Sequence, residues 1–279
     1  MSKATRLKAQ IKNLAAQYHV PAQAVLQSFM LECLLERISL SKYKDMVVLK
    51  GGMLIASLVG ISSRTTMDMD ATLRGYPVSE ETIRAAFEEI CALVLLDDVT
   101  FVLEHIDPIR DDDEYGGYRV AVTARYEAIN TPLKIDITTG DVIIPGAVRY
   151  TFHSAFATRD IEVWAYPIET ILAEKVETIL RRSVLNTRSR DFYDVYIIME
   201  TQQQVIDREI LTAALLATAE KRLSLTALKN RDEIIQNIQS DAAVRQRWAR
   251  YRKDNFYAAS VEFDDVLYVL KMVFVEWQR

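Results

Sequence analysis

The chain has 279 residues, 34 of them basic and 39 acidic, for a formal net charge of −5. Half its residues are hydrophobic and 26% are charged, the composition of a globular protein long enough to bury a sizeable core as one large domain or two ordinary ones. That balance excludes a general polyanion binder, while leaving room for a local basic face. No apolar run approaches the roughly 18 residues a membrane-spanning helix needs, so no membrane partner is expected.

In chain order, residues 4–18 read as a helix with Leu7, Ile11, Leu14 and Ala15 on one face. Pro21 suits the first turn of a second helix running to about Ile38. A short apolar strand at 46–49 ends in Lys50-Gly51-Gly52. It leads into a helix at 53–59 stopped by Gly60. A strand over 67–73 precedes a helix at 79–95, for which Ser79 is the start signal. Strands follow at 100–104, 118–126 and 132–138, the middle one alternating apolar and polar residues. The acidic, glycine-bearing stretch Arg110–Gly117 reads as a solvated hairpin loop and not as a metal site. From Tyr166 onward helical spacing recurs at 167–182, 188–200, 207–221, 228–238, 242–252 and 261–277. The fold class is therefore α+β, with an α/β domain over 1–160 and an α-helical domain over 161–279.

Cys33 and Cys91 lie inside apolar helical patterns and read as reduced, buried thiols. The opening segment is polar and basic without an apolar signal core, so a cytoplasmic location is expected. His19, His105 and His153 are too dispersed for a zinc signature. Carboxylates are the abundant chemistry.

The informative carboxylates are Asp68 and Asp70. Side chains two apart on a strand point to the same side, about 7 Å apart at Cα by the strand rise, within reach of one or two hard cations. Mg²⁺ suits such oxygen ligands beside substrate phosphates. The preceding Gly51-Gly52 turn opens a helix, where backbone N–H groups can approach a phosphate closely. Asp136 sits between Ile135 and Ile137; with Leu133 these mark the core face, which leaves Lys134 and Asp136 on the other. Three such aspartates on neighbouring strands are what two-metal phosphoryl transfer requires.

Lys50-Gly51-Gly52-x-x-Leu, Arg64-x-Thr66-x-Asp68-x-Asp70 and Leu-Lys-Ile-Asp136-Ile together resemble the AbiEii/MenT group of nucleotidyltransferase-like toxins, within the polymerase-β-type superfamily. Tyr166-Pro167-x-Glu169, Ala173-Glu174-Lys175 and Arg190-Asp191-Phe192-Tyr193-Asp194 continue the resemblance, which covers about residues 25–200. It implies an N-terminal nucleotidyltransferase-type mixed sheet and a helical domain completing the active site. It also implies a toxin of a toxin–antitoxin or abortive-infection pair that transfers nucleoside monophosphate from a nucleoside triphosphate to RNA, at the 3′ end of tRNA, and so blocks translation. On this reading Asp68, Asp70 and Asp136 hold Mg²⁺, as two ions. Lys50, Gly51, Gly52, Arg64 and Thr66 bind the nucleotide, and Lys175 and Asp191 join the catalytic set. A cognate antitoxin is the implied partner. Where many superfamily members carry Gly-Ser at the phosphate turn, this chain has Gly51-Gly52-Met53, so phosphate contact would rest on backbone N–H groups and Lys50.

Two basic clusters are candidates for RNA. The first is Arg181, Arg182, Arg188 and Arg190, flanking the expected active site. The second is Arg245, Arg247, Trp248, Arg250, Arg252 and Lys253, whose tryptophan could stack on a base. Two other readings stand beside RNA transfer: modification of a protein or of a small molecule such as an aminoglycoside, and a catalytically silent module that binds a nucleotide or a partner.

Overall fold

The computed structural model describes residues 2–109, 116–156 and 159–275. It divides into two units, Met1–Asp141 with Val148–Ala165, and Val142–Ala147 with Tyr166–Arg279. The acidic segment at 110–115 and the end of the last expected helix lie outside the described residues.

The first unit opens with α1 (Lys3–Tyr18), capped by the Ser2 hydroxyl, which accepts the Thr5 N–H. Leu7, Ile11 and Ala15 form its buried stripe. Helix α2 (Ala22–Leu40) starts behind Pro21 and is apolar nearly all round, so it is buried along its length, from Val25 through Met30, Leu31 and Leu34 to Ile38. Then come β1 (Val47–Lys50), α3 (Gly51–Val59), β2 (Asp68–Leu73) and α4 (Glu80–Ala92), the last entered through a reciprocal Ser79/Thr82 capping box. Strands β3 (Thr100–Ile109), β4 (Gly117–Tyr126), β5 (Ile129–Thr139), β6 (Val148–His153) and β7 (Asp160–Ala165) complete one seven-stranded sheet. Its order is β3-β4-β5-β2-β1-β7-β6, with β2 parallel to β5, β1 parallel to β7 and the remaining neighbours antiparallel. The sheet is thus mixed, as the fold class requires.

Strand alternation divides the sheet cleanly. Leu133, Ile135 and Ile137 on β5, Met69 and Ala71 on β2, and Val120 and Val122 on β4 are all buried, and the intervening residues occupy the opposite face. Strands β6 and β7 go unseen in the sequence reading, although Ile161, Val163 and Ala165 of β7 are buried in strand alternation. Strand β7 pairs with β1 through Val48 and Trp164, so residues 160–165 belong to the first unit and not to the helical one. Strand β3 runs five residues past its expected end, through a register shift between Leu103 and His105. Helix α4 stops at Ala92, and Val94 and Leu96 beyond it are fully solvated.

Glu32 of α2 is 2% exposed, with the Ser154 hydroxyl donating to it at 2.6 Å and the Ala155 N–H at 3.3 Å. Burial outweighs these bonds and pushes its carboxyl up from 4.5 to about 7. Below pH 4.5 the group is protonated folded and unfolded alike. As pH rises toward 7 the unfolded chain ionises first, so stability falls by up to about 3 kcal/mol. Glu32→Gln is therefore expected to gain melting temperature relative to the parent between pH 5 and pH 8. A difference that does not change with pH would show that Glu32 does not titrate in this window.

The second unit is helical: α5 (Ile168–Arg182), α6 (Ser189–Gln202), α7 (Arg208–Lys221), α8 (Leu225–Lys229), α9 (Arg231–Ser240), α10 (Ala242–Asp254) and α11 (Phe263–Met272). The helix expected at 228–238 is two, broken at Asn230. Leu172, Val176 and Ile179 of α5 are buried, as are Phe192, Val195 and Ile198 of α6 and Val266 and Leu270 of α11. Val142–Ala147 belongs here because Ile144 donates its N–H to the Thr170 hydroxyl and accepts that hydroxyl's proton at its carbonyl. Among the described residues no helix is long and apolar enough to cross a membrane.

Candidate active site

Four charged residues stand in register across four strands of the first unit: Arg119 on β4 opposite Asp136 on β5, Asp136 opposite Asp70 on β2, and Asp70 opposite Lys50 on β1. Neighbouring strands lie about 4.8 Å apart, so the two aspartates are adjacent. Asp68 precedes Asp70 by two residues and projects from the same face. All lie opposite the buried Leu133–Ile135–Ile137 face, as their spacing predicts.

The glycine turn is shaped around Asp70. Gly51 has φ +65°, and a Cβ there would lie 2.1 Å from Asp70 Oδ2. A Cβ on Gly52 would come within 2.7 Å of Thr66 Oγ1. The Gly52 N–H, expected to face a phosphate, instead donates to Asp70 Oδ2 at 3.2 Å. Arg64 and Thr66 approach the turn from behind. Arg64 is 1% exposed and donates to the Thr65 carbonyl, and the Thr66 hydroxyl donates to the Asp68 carbonyl at 3.1 Å. With Glu32, Met53, Ser57 and Thr65 they line a cavity of about 230 Å³.

Lys50 is held by a residue the sequence reading did not single out. Its Nζ lies 2.6 Å from Asp141 Oδ2, which also accepts the Thr138 hydroxyl at 2.8 Å, and both charged side chains are nearly buried. Asp141 falls two residues beyond the end of β5, after Gly140, where strand alternation gives no signal. Arg119 was likewise missed: its Nε and Nη2 donate to Asp136 Oδ1 and Oδ2 at 2.8 and 2.7 Å, a two-pronged ion pair. Its guanidinium is held well above the usual range by that hydrogen bond and by the Asp136 charge, with Asp68 and Asp70 adding to the effect. Asp68, Asp70, Asp136 and Asp141 against Lys50 and Arg119 leave the row a formal charge of −2.

The three aspartates do not converge as a ready ligand set. Among the described residues no three of the metal-ligating types stand where they could hold an ion. The reason is local, since Asp136 is turned onto Arg119 and Asp70 onto Gly52. The donor chemistry nonetheless fits a hard divalent cation, because every candidate ligand is a carboxylate oxygen on adjacent backbone.

In the helical unit, Lys175 Nζ lies 2.7 Å from Asp191 Oδ1 and 3.0 Å from Asp194 Oδ2. Asp194 is fully buried, and Asp191 Oδ2 is buried with no hydrogen-bond partner. Asp191 and Asp194 therefore share one helix face around Lys175, while Arg188 and Arg190 point to solvent. Arg181 of the first basic cluster is engaged with Glu177 at 2.8 Å. The second cluster does not form the expected surface. Trp248 is 2% exposed, donates to the Val261 carbonyl and stacks on Tyr251, so it cannot stack on a base. Arg245 and Arg252 are paired with Asp264 and Glu262, and Arg247 donates to the Val184 carbonyl. The acidic partners lie outside α10, where the helical period of that segment could not reveal them. Cys33 and Cys91 are free thiols, Cys33 buried with its thiol pushed up to about 12, so it is unreactive.

A mixed sheet that sets paired carboxylates beside a glycine-built strand-to-helix turn is an arrangement suited to the nucleotidyltransferase class. The family model described as "Nucleotidyl transferase AbiEii toxin, Type IV TA system" matches residues 33–269. The chain belongs to that family. A nucleoside triphosphate substrate and a cognate antitoxin follow from the membership. Among solved structures, JHP933 from Helicobacter pylori is similar at 14% identity and a TM-score of 0.49, covering 92% of this chain and 94% of that one. An antigenic nucleotidyltransferase-like protein from Paracoccidioides brasiliensis is similar at 17% identity and a TM-score of 0.37, covering 70% and 92%. No curated protein matches the chain.

Proposed function

We propose that this toxin transfers a nucleoside monophosphate from a nucleoside triphosphate to the 3′ end of tRNA in a Mg²⁺-dependent reaction in the cytoplasm, and so blocks translation until its antitoxin intervenes. The observation that carries the reading is the in-register placement of Asp70 beside Asp136, with Asp68 on the same face, at the N-terminus of α3. Asp68, Asp70 and Asp136 would hold the cation. When bound, it neutralises triphosphate charge and polarises the transferring phosphoryl group. Lys50 and the Gly51-Gly52 turn, braced by Arg64 and Thr66, orient the nucleotide. The family resemblance alone assigns Lys175 and Asp191 to the catalytic set; within the helical unit Asp191 and Asp194 fix the Lys175 ammonium. Arg188 and Arg190 are the exposed cations of the first basic cluster and serve as its contacts to the RNA backbone; Arg181 and Arg182 support them.

The reading is tested by incubating the protein with each labelled triphosphate, Mg²⁺ and total RNA, with and without chelator. Label in the tRNA band that disappears with chelator is expected. Label on protein or on a small molecule would refute the acceptor, and no label under any condition would refute transfer.

A further inference from the structure

Asp136, the third carboxylate, already carries a bound guanidinium. Each of its oxygens accepts a hydrogen bond from Arg119, at 2.8 and 2.7 Å, so a divalent ion approaching Asp136 meets a positive charge already bound there and competes with it for the carboxylate. The geometry of the pair allows that. Arg119 sits on β4 next to Asp136, and its side chain is 47% exposed, so it can swing away into solvent. Arg119 also lies close enough to Asp68 and Asp70 to feel their charge, and a Lys50–Asp141 pair flanks the other end of the row. Its guanidinium therefore stands at one end of the row, beside the aspartates that make it negative.

We propose that Arg119 is a positioning residue that holds Asp136 until a divalent cation takes that carboxylate, and that the released guanidinium then binds the phosphate oxygens of the nucleotide. This rests on the metal-dependent reading above. The physical basis is that one planar fork suits carboxylate and phosphate alike, so Arg119 can exchange one anion for the other without losing its hydrogen bonds. A lysine at this position would supply charge without the fork.

The consequence is a pair of effects of opposite sign, which a merely structural arginine would not produce. Mn²⁺ titrated into the nucleotide-free protein, followed by electron paramagnetic resonance, is expected to bind Arg119→Gln roughly fivefold more tightly than the parent, the upper end of what a part-exposed ion pair contributes. At saturating Mn²⁺ the same variant is expected to bind a non-hydrolysable triphosphate more weakly than the parent, with Arg119→Lys in between. Asp136→Asn serves as the control and should lose Mn²⁺ affinity. Equal or weaker Mn²⁺ binding by Arg119→Gln, or unchanged triphosphate binding, would overturn the proposal while leaving the metal reading intact. No Mn²⁺ binding by the parent would overturn the metal reading and this inference with it. If Arg119→Gln fails to fold, the Arg119→Lys comparison decides, because that variant keeps the charge: Mn²⁺ and triphosphate affinities both equal to the parent's would overturn the exchange.

Discussion

Asp70→Asn is expected to cut nucleotide transfer by about 10³-fold, or about 4 kcal/mol of barrier, with little loss of stability. Asp70 occupies the centre of the row, between Asp136 and Lys50, where the proposed function places the cation and the transferring phosphoryl group. Asparagine keeps the shape and one carbonyl oxygen, so the Gly52 N–H retains an acceptor and the turn should hold. What it removes is the negative charge. Losing that charge also relieves repulsion with Asp136 one strand away, so the melting temperature should hold or rise slightly. Transfer rate and melting temperature measured on the same preparation decide the matter. Activity within tenfold of the parent would mean that the aspartate row is not the reaction centre.

Gly51→Ala should be as damaging by a different route. An added Cβ lands 2.1 Å from Asp70 Oδ2, and the φ of +65° already disfavours any side chain. The backbone strain alone costs about 1–3 kcal/mol. The collision forces the carboxylate aside, which breaks its bond to the Gly52 N–H and moves the central carboxylate of the row. Loss of at least about 2 kcal/mol in urea unfolding, together with near-complete loss of transfer, is the expected outcome. A stable variant with full activity would show that the close approach of Gly51 and Asp70 is not needed.

Much of this site was legible in the sequence because strands repeat every two residues. Asp68-x-Asp70 and the Leu133/Ile135/Ile137 alternation put the aspartates on the face opposite the core without any structure. The spacing did not say which residues stand opposite which. Arg119 lies in an alternating strand where an exposed arginine is ordinary, and only the β4–β5 register turns it into a partner of Asp136. Asp141 sits past a strand end, where the period has stopped. The glycines were read as room for a phosphate; they make room first for a side chain of the protein itself. Trp248 illustrates the converse error, since a basic amphipathic stretch looks like a nucleic-acid face until its acidic partners come in from residues 262 and 264.

The place of β1 inside the sheet, between β2 and β7, bears on how the molecule comes into being. This four-residue strand joins β2, which follows it closely, to β7, whose Trp164 lies more than a hundred residues later in the chain. Pairings that close such long loops are slow to find, and sheets dominated by them fold in milliseconds to seconds. Within the charged row, Lys50 meets Asp70 and Arg119 meets Asp136 across short loops, and only the Asp70–Asp136 pairing joins distant stretches of chain. A chain emerging from the ribosome therefore cannot assemble the row until Asp136 has been made, about half-way along its 279 residues.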